Sequence, residues 1–178
     1  METTLSSFCA LLIFGTTMAS GAESAGPTDP QIAAIVVTAN QVDIDAGKLA
    51  LEISQTQTVK DFAQRMVTDH TGVNNSATEL VTKLNVTPQP NDTSEQLQKG
   101  GVDNLAALRR LSGADFDKAY VDHEVTYHQS VLDAMDKTLI PNAKNAELKA
   151  LLVKVRPAFV AHLEHAKQLQ ATLGKGSG

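Results

Sequence analysis

Four long stretches of this chain repeat their apolar residues at helical spacing, and that repetition limits the fold more than any other feature. The first carries Ile32, Ile35, Val36, Ala39, Val42, Ala46, Leu49 and Ile53. The second carries Val59, Phe62, Ala63, Met66, His70, Val73, Ala77, Leu80, Val81 and Leu84. The third runs through Phe116, Tyr120, Val121, Val125, His128, Leu132 and Met135. The fourth runs through Leu148, Leu152, Val155, Phe159, His162, Ala166, Leu169 and Leu173. Steps of three and four put each set on one face of an α-helix. Aromatic residues are only 4% of the chain and Trp is absent, so Ala, Leu and Val must build the core. Such a composition suits helix packing better than a β-sandwich. The expected fold is all-α, an antiparallel four-helix bundle with a long, partly helical crossover.

Punctuation residues set the expected boundaries. Asp29 reads as an N-cap with Pro30 at the first helical position, opening a helix that ends near Ser54. Gly47 inside it marks either a tolerated cost or a close helix crossing. Thr58 and Asp61 resemble a capping box for the second helix, which ends before the Asn85–Asp92 loop with its two prolines. Thr93–Leu111 reads as a weaker helix interrupted at Gly100 and Gly101, and as part of the crossover. The third bundle helix opens at Asp115, runs to about Leu139 and stops at Pro141. The fourth starts after Asn142 or Asn145 and is expected to kink at Pro157. The bundle domain is thus expected over residues 29–173, followed by a disordered tail at 174–178.

Residues 1–25 read as a signal peptide that is cleaved. Phe8 to Phe14 is an apolar run, small residues follow, and Ser20 and Ala22 fit a small-x-small cleavage site, although no Lys or Arg precedes the run. The run is too short to span a membrane. An exported protein, periplasmic or envelope-associated, is therefore expected, with no transmembrane segment in the mature chain. Cys9 is the one cysteine. The mature chain then has no disulfide, thiolate ligand or cysteine nucleophile. A formal net charge of -5 without a Lys/Arg run argues against nucleic acid as a partner.

The chemistry of interest lies in histidines. His70, His128 and His162 each fall on an apolar stripe. Burying three imidazoles among aliphatic side chains is costly unless each is hydrogen-bonded or holds a metal. Asp43 lies 13 residues before Thr56 and His70 lies 14 after it, so the two share a level in the first hairpin. In the second hairpin His128 lies 11 residues before Leu139, whereas His162 lies 16 after Ala146. That mismatch is about 7 Å along the axis. His123, 16 residues before Leu139, matches His162 better. Level therefore favours His123 and apolar register favours His128, and the residues leave both open. His123-Glu124 with His128 resembles the zinc-protease pattern but fails it, because that motif needs its histidines four apart. Glu124 and His128 are four apart and can share a face, or form an exposed pair. Asp69 reads as solvent-facing or as an orienting partner, with solvent favoured. Glu164 and His165 read as a solvated edge. Tyr120 or Tyr127 can donate a hydrogen bond to a buried carboxylate or imidazole.

Taken together, Asp43 to Ala50, Val59 to Ala63, Met66 to His70, Phe116 to Tyr120 with His128, and His162 with Ala166 resemble a bacterial family of exported proteins. That family carries a domain of unknown function and bears the label "predicted outer membrane protein". The resemblance spans roughly residues 30–173. It implies a ferritin-like four-helix bundle and points to His128 rather than His123. The family usually has Glu where this chain has the shorter Asp43. The label conflicts with the residues, because helical stripes cannot make a transmembrane β-barrel.

Two function classes remain. One is a metal-binding protein using His70, His128, His162 and Asp43, whose nitrogen and oxygen ligands suit Zn, Fe, Mn, Cu or Ni. The other is a non-enzymatic envelope or stress-linked interaction protein with structural histidines. Ferritin-like di-iron oxidase chemistry uses paired Glu-x-x-His motifs, and no Glu stands three residues before any of the three histidines. Enzyme activity is therefore not the favoured expectation. Homo-oligomerisation is compatible with either class.

Overall fold

A computed structural model describes residues 26–175, and the expected signal peptide lies outside the described residues. The chain there is an all-α bundle: α1 (Asp29–Ile53), α2 (Gln57–Lys83), α3 (Asp92–Leu108), α4 (Gly113–Ala134), a π-helical segment (Met135–Leu139), α5 (Ile140–Asn142) and α6 (Ala146–Lys175). Helices α1, α2, α4 and α6 form the bundle. α1 pairs with α2 and α4 with α6 as two antiparallel hairpins, α2 lies beside α6, and α1 lies beside α4. The crossover helix α3 packs mainly along the outside of α1. Among the described residues, no helix is long and apolar enough to cross a membrane.

Several boundaries differ from the sequence reading. The N-cap of α1 is Thr28, with its backbone N–H donating to Gln31 Oε1. Asp29 is the first helical residue instead, and its carboxylate accepts from the backbone N–H groups of Lys144 and Asn145. It thereby ties the start of α1 to the loop before α6. Helix α2 opens one residue before Thr58, after Thr56, whose hydroxyl donates to Asp117. The Gly100-Gly101 pair does not interrupt α3, which is continuous. Gly101 is buried against Val42, where an added Cβ would stand 2.7 Å from Val42 Cγ2. Gly47 marks a close α1–α2 crossing: an added Cβ would stand 3.0 Å from Val67 Cγ2 and 3.1 Å from the Ala63 carbonyl oxygen. Helix α6 continues through Pro157 and includes Gly174 and Lys175, which the sequence assigns to a tail.

The largest difference is at Pro141. The chain does not stop there but stays helical to Asn142. The preceding π turn, in which the Ile140 N–H bonds back to the Met135 carbonyl, widens the helix just before a residue with no N–H to donate. The α4–α6 connection therefore falls at residues 143–145, later than expected.

Apolar packing divides into two clusters. One gathers Leu49, Val59, Phe62, Met66, Phe116, Tyr120, Val121 and Leu169. The other gathers Ile32, Ile35, Leu132, Met135, Leu139, Leu152, Phe159 and Leu163. Between them, in chain position on all four bundle helices, lie the buried polar residues Asn40, Asp43, His70, Glu124, His128 and His162.

Candidate metal centre

Each bundle helix sends at least one polar side chain into this middle layer. Helix α1 supplies Asn40 and Asp43, one turn apart; α2 supplies His70; α4 supplies Glu124 and His128, also one turn apart; α6 supplies His162. All are buried to within 2% of full enclosure. The three imidazoles make a nearly equilateral triangle, with ring centroids 5.5 Å (His70–His128), 5.3 Å (His70–His162) and 5.4 Å (His128–His162) apart. One ring nitrogen from each lies within 4.8 Å of the others. One carboxylate oxygen from Asp43, one from Glu124 and a nitrogen of His128 form a second group within the same limit. Phe159 lies against all three rings, closest to His70 at 4.9 Å between centroids.

The hydrogen bonds decide which nitrogen of each ring is free. His70 Nδ1 lies 2.7 Å from Asn40 Oδ1. The Asn40 amide nitrogen is already donating to the Val36 carbonyl, 2.8 Å away, so its oxygen must face the ring as an acceptor. His70 Nδ1 therefore carries the proton, and in the neutral ring Nε2 is left with its lone pair. His128 Nδ1 donates in the same way to the Glu124 backbone carbonyl at 3.0 Å, leaving its Nε2 free. His162 Nε2 donates to Asp69 Oδ2 at 2.8 Å, leaving its Nδ1 free. All three leftover nitrogens, His70 Nε2, His128 Nε2 and His162 Nδ1, are buried without an aligned hydrogen bond. Three imidazoles, each oriented by an oxygen acceptor behind it and each presenting a lone pair forward, is how proteins prepare histidine for a metal ion.

The carboxylates complete the picture. Asp43 Oδ2 lies 2.6 Å from His70 Nε2 and 3.4 Å from His128 Nε2. The approach to His70 is short but off the line an N–H would take, and neither Asp43 oxygen has an aligned donor. Burial pushes the Asp43 carboxyl up, but the charge that His70 and His128 carry when protonated, with the close approach of His70 and Glu124, outweighs it and holds the group at about 2. The opposite happens at Glu124. Burial, then the charge on Asp43, pushes its carboxyl well above the usual range, so it holds a proton that it can share with Asp43. Burial also depresses His162, against the pull of Asp69, to about 4, which keeps that ring neutral and its lone pair available.

The sequence-expected residues sort as follows. Asp43, His70, His128 and His162 come together, and Asp43 and His70 are at one level. His123 stays outside the layer, half-buried, with its ring stacked on Tyr127 at 5.5 Å. The level mismatch that favoured it disappears with the later turn: His128 lies 15 residues before Ala143, and His162 lies 16 after Ala146. Asp69, favoured as solvent-facing, has a side chain that is 42% exposed and also bonds to His162. Glu124 is a full member of the layer and not an exposed pair. Tyr127 donates to the Ala39 carbonyl at 2.8 Å, and the buried Tyr120 hydroxyl has no aligned partner, so neither tyrosine bonds to a carboxylate or imidazole. His165 packs edge-on against Phe62, while Glu164 is exposed and paired with Lys167. Asn40 was missed altogether; its place three residues before Asp43, one helical turn away on the same face, was the available signal.

Nothing among curated proteins and nothing among solved structures matches the chain. The family model described as Domain of unknown function (DUF4142) matches residues 15–169, and the chain belongs to that family.

Proposed function

We propose that this is an exported, ferritin-like bundle protein that binds a transition-metal ion through His70, His128 and His162, with Asp43 and Glu124 as carboxylate ligands. The observation that carries the reading is the set of buried side-chain atoms without a hydrogen-bond partner: one nitrogen of each of the three clustered imidazoles, and the Asp43 and Glu124 carboxylates, which cluster with His128. Each unsatisfied buried polar group costs about 1–3 kcal/mol, so a layer of them is tolerable when a cation sits among them. Ligand nitrogens on one ion stand at most about 4.2 Å apart, so shifts of under about an ångström from the present spacing would let all three rings reach the same metal. The donors are nitrogen and oxygen without sulfur, which suits Zn, Fe, Mn, Cu or Ni. Displacement of the Glu124 proton on binding makes affinity rise with pH. Export rests on the apolar run Phe8–Phe14 and the small residues after it.

A second reading treats the layer as structural, and the proton that Glu124 holds beside Asp43 favours it, since a proton can do part of a cation's work. The two readings part on a thermal melt. Added metal should raise the melting temperature of chelator-treated protein and leave the His70→Ala/His162→Ala double variant unmoved. An unchanged melting temperature for the unaltered protein across Zn, Mn, Fe, Cu and Ni would leave only the structural reading.

A further inference from the structure

A cavity of about 760 Å³ opens between α1, the start of α3, α4 with its π segment, and α6. Its mouth is at the exposed residues Pro90, Asp92 and Thr93, and its inner wall includes Asn40, Tyr127 and Phe159. Those three adjoin the polar layer. Asn40 bonds to His70, the Tyr127 ring is 6.1 Å from that of His128, and Phe159 lies against the imidazoles. Phe159 thus stands as the partition between cavity and metal centre. The volume falls within the range of small-molecule sites, about 300–1,000 Å³.

The walls say what fits. Ile35, Val36, Val131, Leu139, Leu152 and Val155 make them aliphatic, and the one charged residue, Asp92, is exposed at the mouth. At the inner end donors are few: one Asn40 amide N–H donates to Val36 and the Tyr127 hydroxyl donates to Ala39. What remains there is the second Asn40 amide N–H and an oxygen lone pair on Tyr127. A carboxylate or phosphate buried at that end would find no cationic side chain and one neutral N–H at most, and burying a charge so poorly paired is prohibitive. A sugar or nucleotide would leave many hydroxyls unpaired for the same reason. The π segment contributes Met135, Thr138 and Leu139 to the wall. Its extra residue per turn aims these side chains at the cavity, and such π turns recur at functional sites.

We infer that this cavity is a binding site for a small, neutral, largely apolar molecule, alkyl or aryl with at most one hydroxyl, held beside the metal centre with Phe159 between them. The site does not depend on the metal. The test is a fluorescence titration of chelator-treated, full-length protein with N-phenyl-1-naphthylamine, a neutral apolar probe. The expected result is saturable one-to-one enhancement, displaced by 1-octanol. Ala134→Trp, which places an indole in the cavity from a half-buried wall position, should weaken the probe at least tenfold. Val131→Phe, on the same wall, serves as the second block if Ala134→Trp does not melt cooperatively. No saturable enhancement with the unaltered protein overturns the inference. So does equal binding by a cooperatively melting blocked variant. Because no metal is present in the titration, failure here leaves the metal reading standing, and a failed metal assay leaves this one standing.

Discussion

Asn40 and Asp69 do for the histidines what no ligand can do for itself: they choose which ring nitrogen is free. Asn40 Oδ1 holds the His70 proton on Nδ1, and Asp69 holds the His162 proton on Nε2. Removing either acceptor lets the ring turn or change tautomer. Asn40→Ala and Asp69→Ala should each weaken metal affinity by about 10–100-fold while leaving the three histidines in place, as read by competition against a chromogenic chelator. Lys99→Ala, far from the layer on an exposed face of α3, should leave affinity unchanged. The metal-free protein should also be acid-sensitive in a defined window. His162 stays neutral down to about 4 in the folded chain, whereas an ordinary imidazole protonates near 6.5. Between those values the unfolded chain binds more protons than the folded one, so stability falls as pH drops from 6.5 toward 4. Asp43, held at about 2 against an ordinary 3.8, adds a second loss as pH falls below 3.8. Glu124, which holds its proton in the folded chain, pulls the other way over part of that range. Melting temperatures of a chelator-treated Glu124→Gln variant from pH 7 to pH 4 therefore check the His162 contribution: a steady fall is expected, and a flat profile would contradict the neutral, buried His162.

At the level of helices, the two adjacent glycines of α3 make a paired test. An added methyl at Gly100 meets nothing within 4 Å, while one at Gly101 would stand 2.7 Å from Val42 Cγ2. Gly100→Ala should therefore stabilise by about 0.5–1 kcal/mol, the helix cost of glycine. Gly101→Ala should destabilise by about 1–3 kcal/mol through overpacking against α1. Urea melts of the two variants read the difference, and equal effects would refute the close α1–α3 contact. The same pair shows where reading the sequence fell short. Four stripes at helical spacing were enough to give the bundle, because a stripe of eight apolar residues has to be covered. Gly100-Gly101 and Pro141 read as breaks on propensity alone, which takes no account of packing. Gly101 is there to let α3 approach α1, and a π turn accommodates Pro141. The later turn puts His128 at the level of His162, which is why counting levels from Leu139 favours His123.

For the molecule as a whole, the polar layer separates two apolar clusters that would otherwise be one continuous core. Asp43, His70, His128 and His162 were legible as a set, since three histidines on separate apolar stripes are hard to explain singly. Glu124 was harder to place, because the Glu-x-x-His pattern looks three residues before the histidine and this glutamate stands four before His128. Asp69 and Asn40 needed coordinates, because which neighbour a helix-face oxygen reaches depends on the opposing helix and not on its own sequence. A ligand that binds only the folded chain stabilises it by an amount that grows with the logarithm of its concentration, so occupancy of this layer should govern the stability of the entire bundle. The most direct measurement is elemental analysis of the protein purified without chelators or a metal-affinity step, beside the His70→Ala/His162→Ala variant prepared identically. A near-stoichiometric first-row transition metal in the unaltered protein, lost in the variant, is the predicted result. A metal-free native protein, or the same metal content in both, would contradict the proposed centre.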